Sequence, residues 1–160
     1  MERAMDISIP DGKRKKVAGA LTQALADTAA LYFKTHSYHW NVEASTFYGL
    51  HKMFEEQYDA LHGAMDELAE RIRALGQYAP ASYSAMIALA SITEDAGVPD
   101  WKAMVANLSS GHEQLIKTLR KTHEAAVKAG DEVTADLMVE RLSFSEKSAW
   151  MLRATLGGKN

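Results

Sequence analysis

The sequence contains no cysteine, which excludes disulfides and thiolate metal sites together. Any bound metal would be held by oxygen and imidazole donors, a set that suits iron or manganese. Proline is scarce: only Pro10, Pro80 and Pro99 occur. No run of eighteen apolar residues is present, so no membrane span is expected. The opening residues Met1 to Asp6 lack the apolar stretch of a secretory signal, and the expected location is cytoplasmic. No sign of charge dominates either. The 18 Lys and Arg against 21 Asp and Glu give a net charge of −3, with no global attraction to nucleic acid. The period-two alternation of a half-buried strand is missing, and β-branched residues never cluster. What is left is 160 residues, 47% hydrophobic and 24% charged, the length and balance of one domain with a true core. Residues 1–160 therefore read as a single domain, with 1–11 as a short N-terminal extension.

The three prolines all lie outside long helical patterns and divide the chain. A first helix is predicted from about Gly12 to His39, with Val17, Leu21, Leu25, Thr28 and Tyr32 three or four apart. A second should follow Ser45 or Thr46 as cap and run to Leu75, before Gly76. Its apolar stripe is Phe47, Leu50, Phe54, Leu61, Met65, Leu68, Ile72 and Leu75. Within the long connection 77–99, Tyr83 to Leu89 can form a short helix. A third long helix is expected from Asp100 as N-cap, with Trp101, Met104, Leu108, Leu115 and Leu119 facing inward, stopped by Gly130. A fourth should begin at Asp131, carry Val133, Leu137, Phe144, Trp150 and Leu152, and end at Gly157 and Gly158. The fold class is all-α: a four-helix bundle whose long second connection crosses the bundle, as in ferritin-like folds, with a short extra helix inside that crossover.

Potential metal ligands are concentrated in one region. His36, His39, His51 and His62 lie within 27 residues, near Glu55, Asp59, Asp66 and Glu70. His51 with Glu55, and Asp66 with Glu70, are i, i+4 pairs, each pointing one way from the helix. At ~100° per residue these four positions share an arc of roughly 100°, bordering the apolar stripe. Yet His51 and Asp66 are fifteen residues apart on one helix, roughly 22 Å, and first-row metal bonds are about 2 Å. One chain cannot bring both to one metal. A second copy of the helix, antiparallel across a two-fold axis near Ala60 and Leu61, can, and it generates two identical sites. Spacing alone also fits a solvated acidic face, a hydrogen-bonded core histidine, or ion pairs from Asp66 and Glu70 to Arg71 or Arg73.

The run His36-Ser37-Tyr38-His39-Trp40-Asn41-Val42, with Phe47, Leu50-His51, Phe54-Glu55 and Tyr58, resembles the signature of the Dps family, the miniferritins. The likeness continues through Asp66 to Ile72, Leu75-Gly76 and Glu146 to Arg153, and spans residues 14–156. It implies His39, His51 and Glu55 as metal ligands from one subunit, and Asp66 and Glu70 from its two-fold mate. Where this chain has Glu55 the family often has aspartate, and the extra methylene moves that carboxylate. Trp40 resembles a tryptophan thought to screen the centre or quench oxidising equivalents; a packing role fits it equally. His62, near the proposed axis, fits an interface position better than an accessory ligand.

The resemblance implies iron oxidation and storage. A di-iron site would turn Fe2+ into Fe3+ with hydrogen peroxide as oxidant and O2 slower, inside a homo-oligomeric, dodecameric shell, with Zn2+ or Mn2+ as competitors. Glu132 and Asp136 correspond to acidic pore residues, although acidic groups at a helix N-terminus are favoured by its dipole anyway. Lys13, Arg14, Lys15 and Lys16 would form a multivalent basic surface for DNA on such a shell, or simply a solvated helix end. DNA contact would make the protein nucleoid-associated. Only Arg3 is basic among the residues ahead of the first helix. The other readings are a DNA-binding or scaffold shell with little metal chemistry, and a larger ferritin-type enzyme. The latter expects Glu-x-x-His on two helices, which Asp59-x-x-His62 does not supply.

Overall fold

In the computed structural model, residues 5–157 are described, and they form five helices and no strand. Helix α1 spans Asp11–Asn41, α2 Phe47–Ala74, α3 Tyr83–Ala88, α4 Trp101–Ala129 and α5 Glu132–Thr155. None is long and apolar enough to cross a membrane. Arg3 and Gly158 lie outside the described residues.

The ends of these helices follow from local chemistry. Pro10, with its φ of −57°, sits before α1, where a missing N–H costs nothing. Asp100 accepts from the backbone N–H of Lys102 and Ala103, satisfying two donors that the first turn of α4 cannot. Gly130 closes α4 in the left-handed region, φ 74°, which glycine enters without a Cβ penalty. Asp131 then caps α5 by accepting from the Thr134 N–H. The start of α2 departs from expectation. Thr46 holds the N-cap position but makes no side-chain capping bond. Its φ of −100° and ψ of 29° are not the extended geometry a cap needs, because a turn from Ala44 to Phe47 feeds the helix.

Helix α1 packs on both α2 and α4, and α4 packs on α5. Leu21, Leu31, Phe54, Leu61, Leu68, Ile72, Leu108 and Leu119 are fully buried between them, each contributing about 1.5–3 kcal/mol. Approach of α1 to α4 is close enough that a Cβ on Gly111 would lie 2.6 Å from Leu31 Cδ1. The crossover is pinned from inside. Asp27, wholly buried, accepts from the Ser91 N–H at 2.6 Å, from the Ser91 hydroxyl, and from the Thr118 hydroxyl at 2.7 Å.

The inward face of α5 is not the expected one. Val133 and Trp150 are exposed, as is Phe47 on α2. The buried positions of α5 are Thr134, Met138, Leu142, Ser145, Ser148, Ala149 and Leu152. Beside Met138, Leu142 and Leu152, small and hydroxyl-bearing side chains take much of this buried face while Val133 and Trp150 are turned outward, so the pattern of hydropathy misleads.

Candidate metal centre

The short link between α1 and α2 folds the last turn of one against the first turn of the other. This sets His39 beside His51, with the rings stacked at 3.7 Å and 14° apart. His39 Nδ1 lies 2.8 Å from the His51 carbonyl oxygen, and His51 Nδ1 lies 2.8 Å from that of His39. A carbonyl only accepts, so each Nδ1 donates and carries the proton. Each Nε2 is then left with a free lone pair, the tautomer and orientation that metal-binding histidines require. The bond to the His39 carbonyl also satisfies one of the acceptors that the end of α1 leaves without a helical partner.

Glu55 follows one turn later, half-buried, and takes a 2.5 Å ion pair from Lys52. The Lys52 ammonium holds its carboxyl below the usual glutamate range, with His39 and His51 adding to the effect, so it is ionised at neutral pH. Aromatic rings surround the pair. Tyr58 lies edge-on to His39 at 5.1 Å and stacks on His36 at 3.8 Å. Trp40, half exposed, packs on His36 at 4.3 Å and edge-on to Phe33. Burial pulls the His36 pKa down.

Asp66 and Glu70 stand at the other end of α2, both exposed, and neither takes part in an ion pair or side-chain hydrogen bond among the described residues. The two arginines that could have paired with them are engaged elsewhere. Arg71 reaches Asp131 at 2.7 Å and Thr134 at 2.9 Å, while Arg73 donates to the Gln77 carbonyl and lies over the Tyr78 ring. His62 is exposed beside Tyr32. Because α2 is continuous from Phe47 to Ala74, the two ends stay roughly 22 Å apart at 1.5 Å per residue. Among the described residues of one chain, no three His, Asp or Glu side chains gather to hold a metal.

The remaining candidates are also separate. Glu132 and Asp136 are exposed on the first turns of α5 and unpaired among the described residues. In the basic cluster, Arg14 folds back onto the Ile9 carbonyl and Asp11, and Lys15 pairs with Asp11 at 2.8 Å. Lys13 and Lys16 instead join Lys121 and Lys128 around a groove between the start of α1 and the end of α4. Sequence reasoning gave no role to Arg71 as the tie from α2 to the α4–α5 turn, nor to the central position of Tyr58. Tyr58 falls seven residues after His51, on the same face of α2, which was the available signal for it.

The family described as ferritin-like domain matches residues 18–159. A low temperature-induced protein of Nostoc, itself uncharacterised, is 40% identical over 97% of this chain and 88% of its own length. A DNA protection during starvation protein of Bacillus anthracis is 37% identical over 89% of this chain and 97% of its own. Among solved structures, a Dps protein from Vibrio cholerae, described as a member of a broad superfamily of ferritin-like diiron-carboxylate proteins, superposes with a TM-score of 0.90. It is 35% identical, and the match covers 97% of this chain and 99% of that one. With the helix order, the crossover and the paired histidines in place, the chain belongs to the Dps family of ferritin-like proteins.

Proposed function

We propose that the protein takes Fe2+ as substrate at a site shared by two copies related by a two-fold axis, oxidises it with hydrogen peroxide, and retains the ferric product inside a hollow dodecameric shell. The observation that carries this reading is the reciprocal His39–His51 pair, in which both Nδ1 atoms are occupied and both Nε2 lone pairs are free. His39, His51 and the ionised Glu55 form one half of a donor set that lacks only hard oxygen ligands. The partner subunit's Asp66 and Glu70 supply those, as carboxylates with no paired cation among the described residues. Carboxylate oxygen favours Fe3+ over Fe2+. The stoichiometry is two Fe2+, one hydrogen peroxide and two protons giving two Fe3+ and two waters. O2 is the slower oxidant. Zn2+ and Mn2+ fit the same donors and should compete.

Consuming Fe2+ and peroxide together leaves none for radical chemistry, which is how such a cytoplasmic shell would protect DNA. Trp40, beside the histidines, is placed to intercept oxidising equivalents. Glu132 and Asp136 would line the route by which Fe2+ enters. Direct DNA binding is the second reading, supported by the groove of Lys13, Lys16, Lys121 and Lys128, and it would make the protein nucleoid-associated. Arg14 and Lys15, held by Asp11, and Lys128, paired with Glu124 in the same groove, would contribute less. A gel-shift at low salt tests it, and absence of a complex removes it.

The test of the main reading is stopped-flow absorbance after mixing the protein with Fe2+ and then peroxide. An Asp66→Ala, Glu70→Ala variant should still assemble and should oxidise iron at least about 100-fold more slowly, since even indirect partners of a metal site are worth 10–100-fold. Unchanged kinetics in that variant would overturn the proposal.

A further inference from the structure

The ring cluster beside the histidine pair extends past Trp40 and His36 to Tyr32. Tyr58 and His36 both contact the His39 ring, at 5.1 and 5.9 Å between centroids. Tyr32 in turn contacts Tyr58 at 6.4 Å and His36 at 5.6 Å. Tyr32 is therefore one ring removed from His39, through an unbroken path of aromatic contacts. The decisive feature is its hydroxyl, which lies 3.1 Å from His36 Nδ1.

Loss of an electron makes a phenol strongly acidic, so a tyrosine is readily oxidised only where a base stands ready for its proton. Of the two tyrosines in this ring cluster, only Tyr32 has such a base among the described residues; the Tyr58 hydroxyl has none. Tyr38 has Asp95, but its ring partner is Phe54, which is not part of this ring cluster. Tyr32 is also half-buried, whereas Trp40 is 57% exposed.

We propose that Tyr32 and His36 form a proton-coupled redox pair that supplies the missing electron when a site holds a single Fe2+. Peroxide takes two electrons, and one Fe2+ gives only one. Tyr32 gives the second, along the ring path, and its phenolic proton passes to His36 Nδ1. The balance is one hydrogen peroxide, one Fe2+, Tyr32 with its O–H, neutral His36 and two protons, giving Fe3+, the Tyr32 phenoxyl radical, protonated His36 and two waters. The second oxidising equivalent is thereby held inside the protein and no hydroxyl radical escapes. This inference rests on the peroxide-driven iron oxidation proposed above.

The test is freeze-quench electron paramagnetic resonance on the assembled protein, given one Fe2+ per site and then hydrogen peroxide, with ferric absorbance read on the same sample. A tyrosyl signal is expected, weakening as iron is raised to two per site. Tyr32→Phe should abolish it and Tyr58→Phe should keep it. His36→Phe, which retains a ring against Tyr58 but removes the base, should lose it. In the unaltered protein, ring-deuterated tyrosine should collapse its hyperfine splitting, and an exchangeable proton hydrogen-bonded to the radical should be seen. Ferric product without a tyrosyl signal, or a signal that survives Tyr32→Phe, overturns the redox pair. Absence of ferric product in the unaltered protein overturns the iron reading itself, and the redox pair with it.

Discussion

Replacing Arg71 by Met should destabilise the protein by about 3 kcal/mol. Arg71 donates from Nη2 to Asp131 at 2.7 Å and from Nε to Thr134 at 2.9 Å, and its Asp131 partner is 1% exposed. Removing one member of a buried pair costs roughly 3–5 kcal/mol, because the other charge is left behind. Asp131 keeps two bonds from Thr134, its N–H at 3.0 Å and its hydroxyl at 2.6 Å, which places the loss at the lower end. With a urea dependence of ~2 kcal/mol per molar, typical of small domains, the unfolding midpoint should fall by roughly 1.5 M. Oligomer and variant must be compared at equal protein concentration, since assembly adds to apparent stability. Asp131→Asn should cost less, as asparagine still caps α5. The double variant should be more stable than the sum of the two single losses, by about 2 kcal/mol of coupling. Additive losses, or a midpoint shift near zero for Arg71→Met, would refute the idea that this ion pair fixes the far end of α2.

Three further perturbations follow from the geometry. Gly111→Ala puts a Cβ 2.6 Å from Leu31 Cδ1 and should lower stability by about 1–3 kcal/mol as an overpacked core; thermal denaturation measures it, and Leu31→Val in the same chain should recover part of the loss. Lys52 depresses the Glu55 carboxyl below the ordinary glutamate range, so an NMR titration should give a depressed midpoint that returns toward that range in Lys52→Ala. Because that pKa is lowered by folding, the contribution of Glu55 is present at neutral pH and disappears as pH falls through the depressed value. His112 is fully buried, and desolvation pushes its pKa down from 6.5 to about 3. The unfolded chain therefore takes up a proton that the folded chain refuses, and stability should fall by up to ~1.4 kcal/mol per pH unit as pH drops from 6.5 toward 3. In His112→Leu that slope should flatten, as read from denaturation midpoints across the range.

Much of the fold was legible because its determinants are local. Pro10, Asp100, Gly130 and Asp131 act through their own backbone geometry and hydrogen bonds, and each ends or starts a helix where its chemistry says it should. The stripes of α1, α2 and α4 are carried by leucines at helical spacing, and those leucines are buried as read, although Phe47 at the start of the α2 stripe is not. The face of α5 was not legible, because Thr134, Ser145 and Ala149 are buried by close approach to a neighbouring helix, while Val133 and Trp150 are left outside. Equally hidden was the Asp27 network, in which Ser91 and Thr118, from two distant parts of the chain, converge on one carboxylate. For the candidate site, spacing drew attention to His51, Glu55, Asp66 and Glu70 and helix geometry separated the first two from the last two, while the full ligand set with His39 came only from the resemblance to the Dps family. What spacing could not give is the reciprocal bonding of His39 and His51, since that depends on how the α1–α2 link brings two carbonyls within reach of two rings.

The central claim is that the two ends of α2 meet across a two-fold axis. A crystal structure of the assembled particle soaked in Fe2+ tests it most directly. The account predicts iron bonded at about 2 Å to Nε2 of His39 and of His51 in one subunit and to the carboxylates of Asp66 and Glu70 in its mate. A particle in which those carboxylates lie far from the histidines of every neighbouring chain would contradict it.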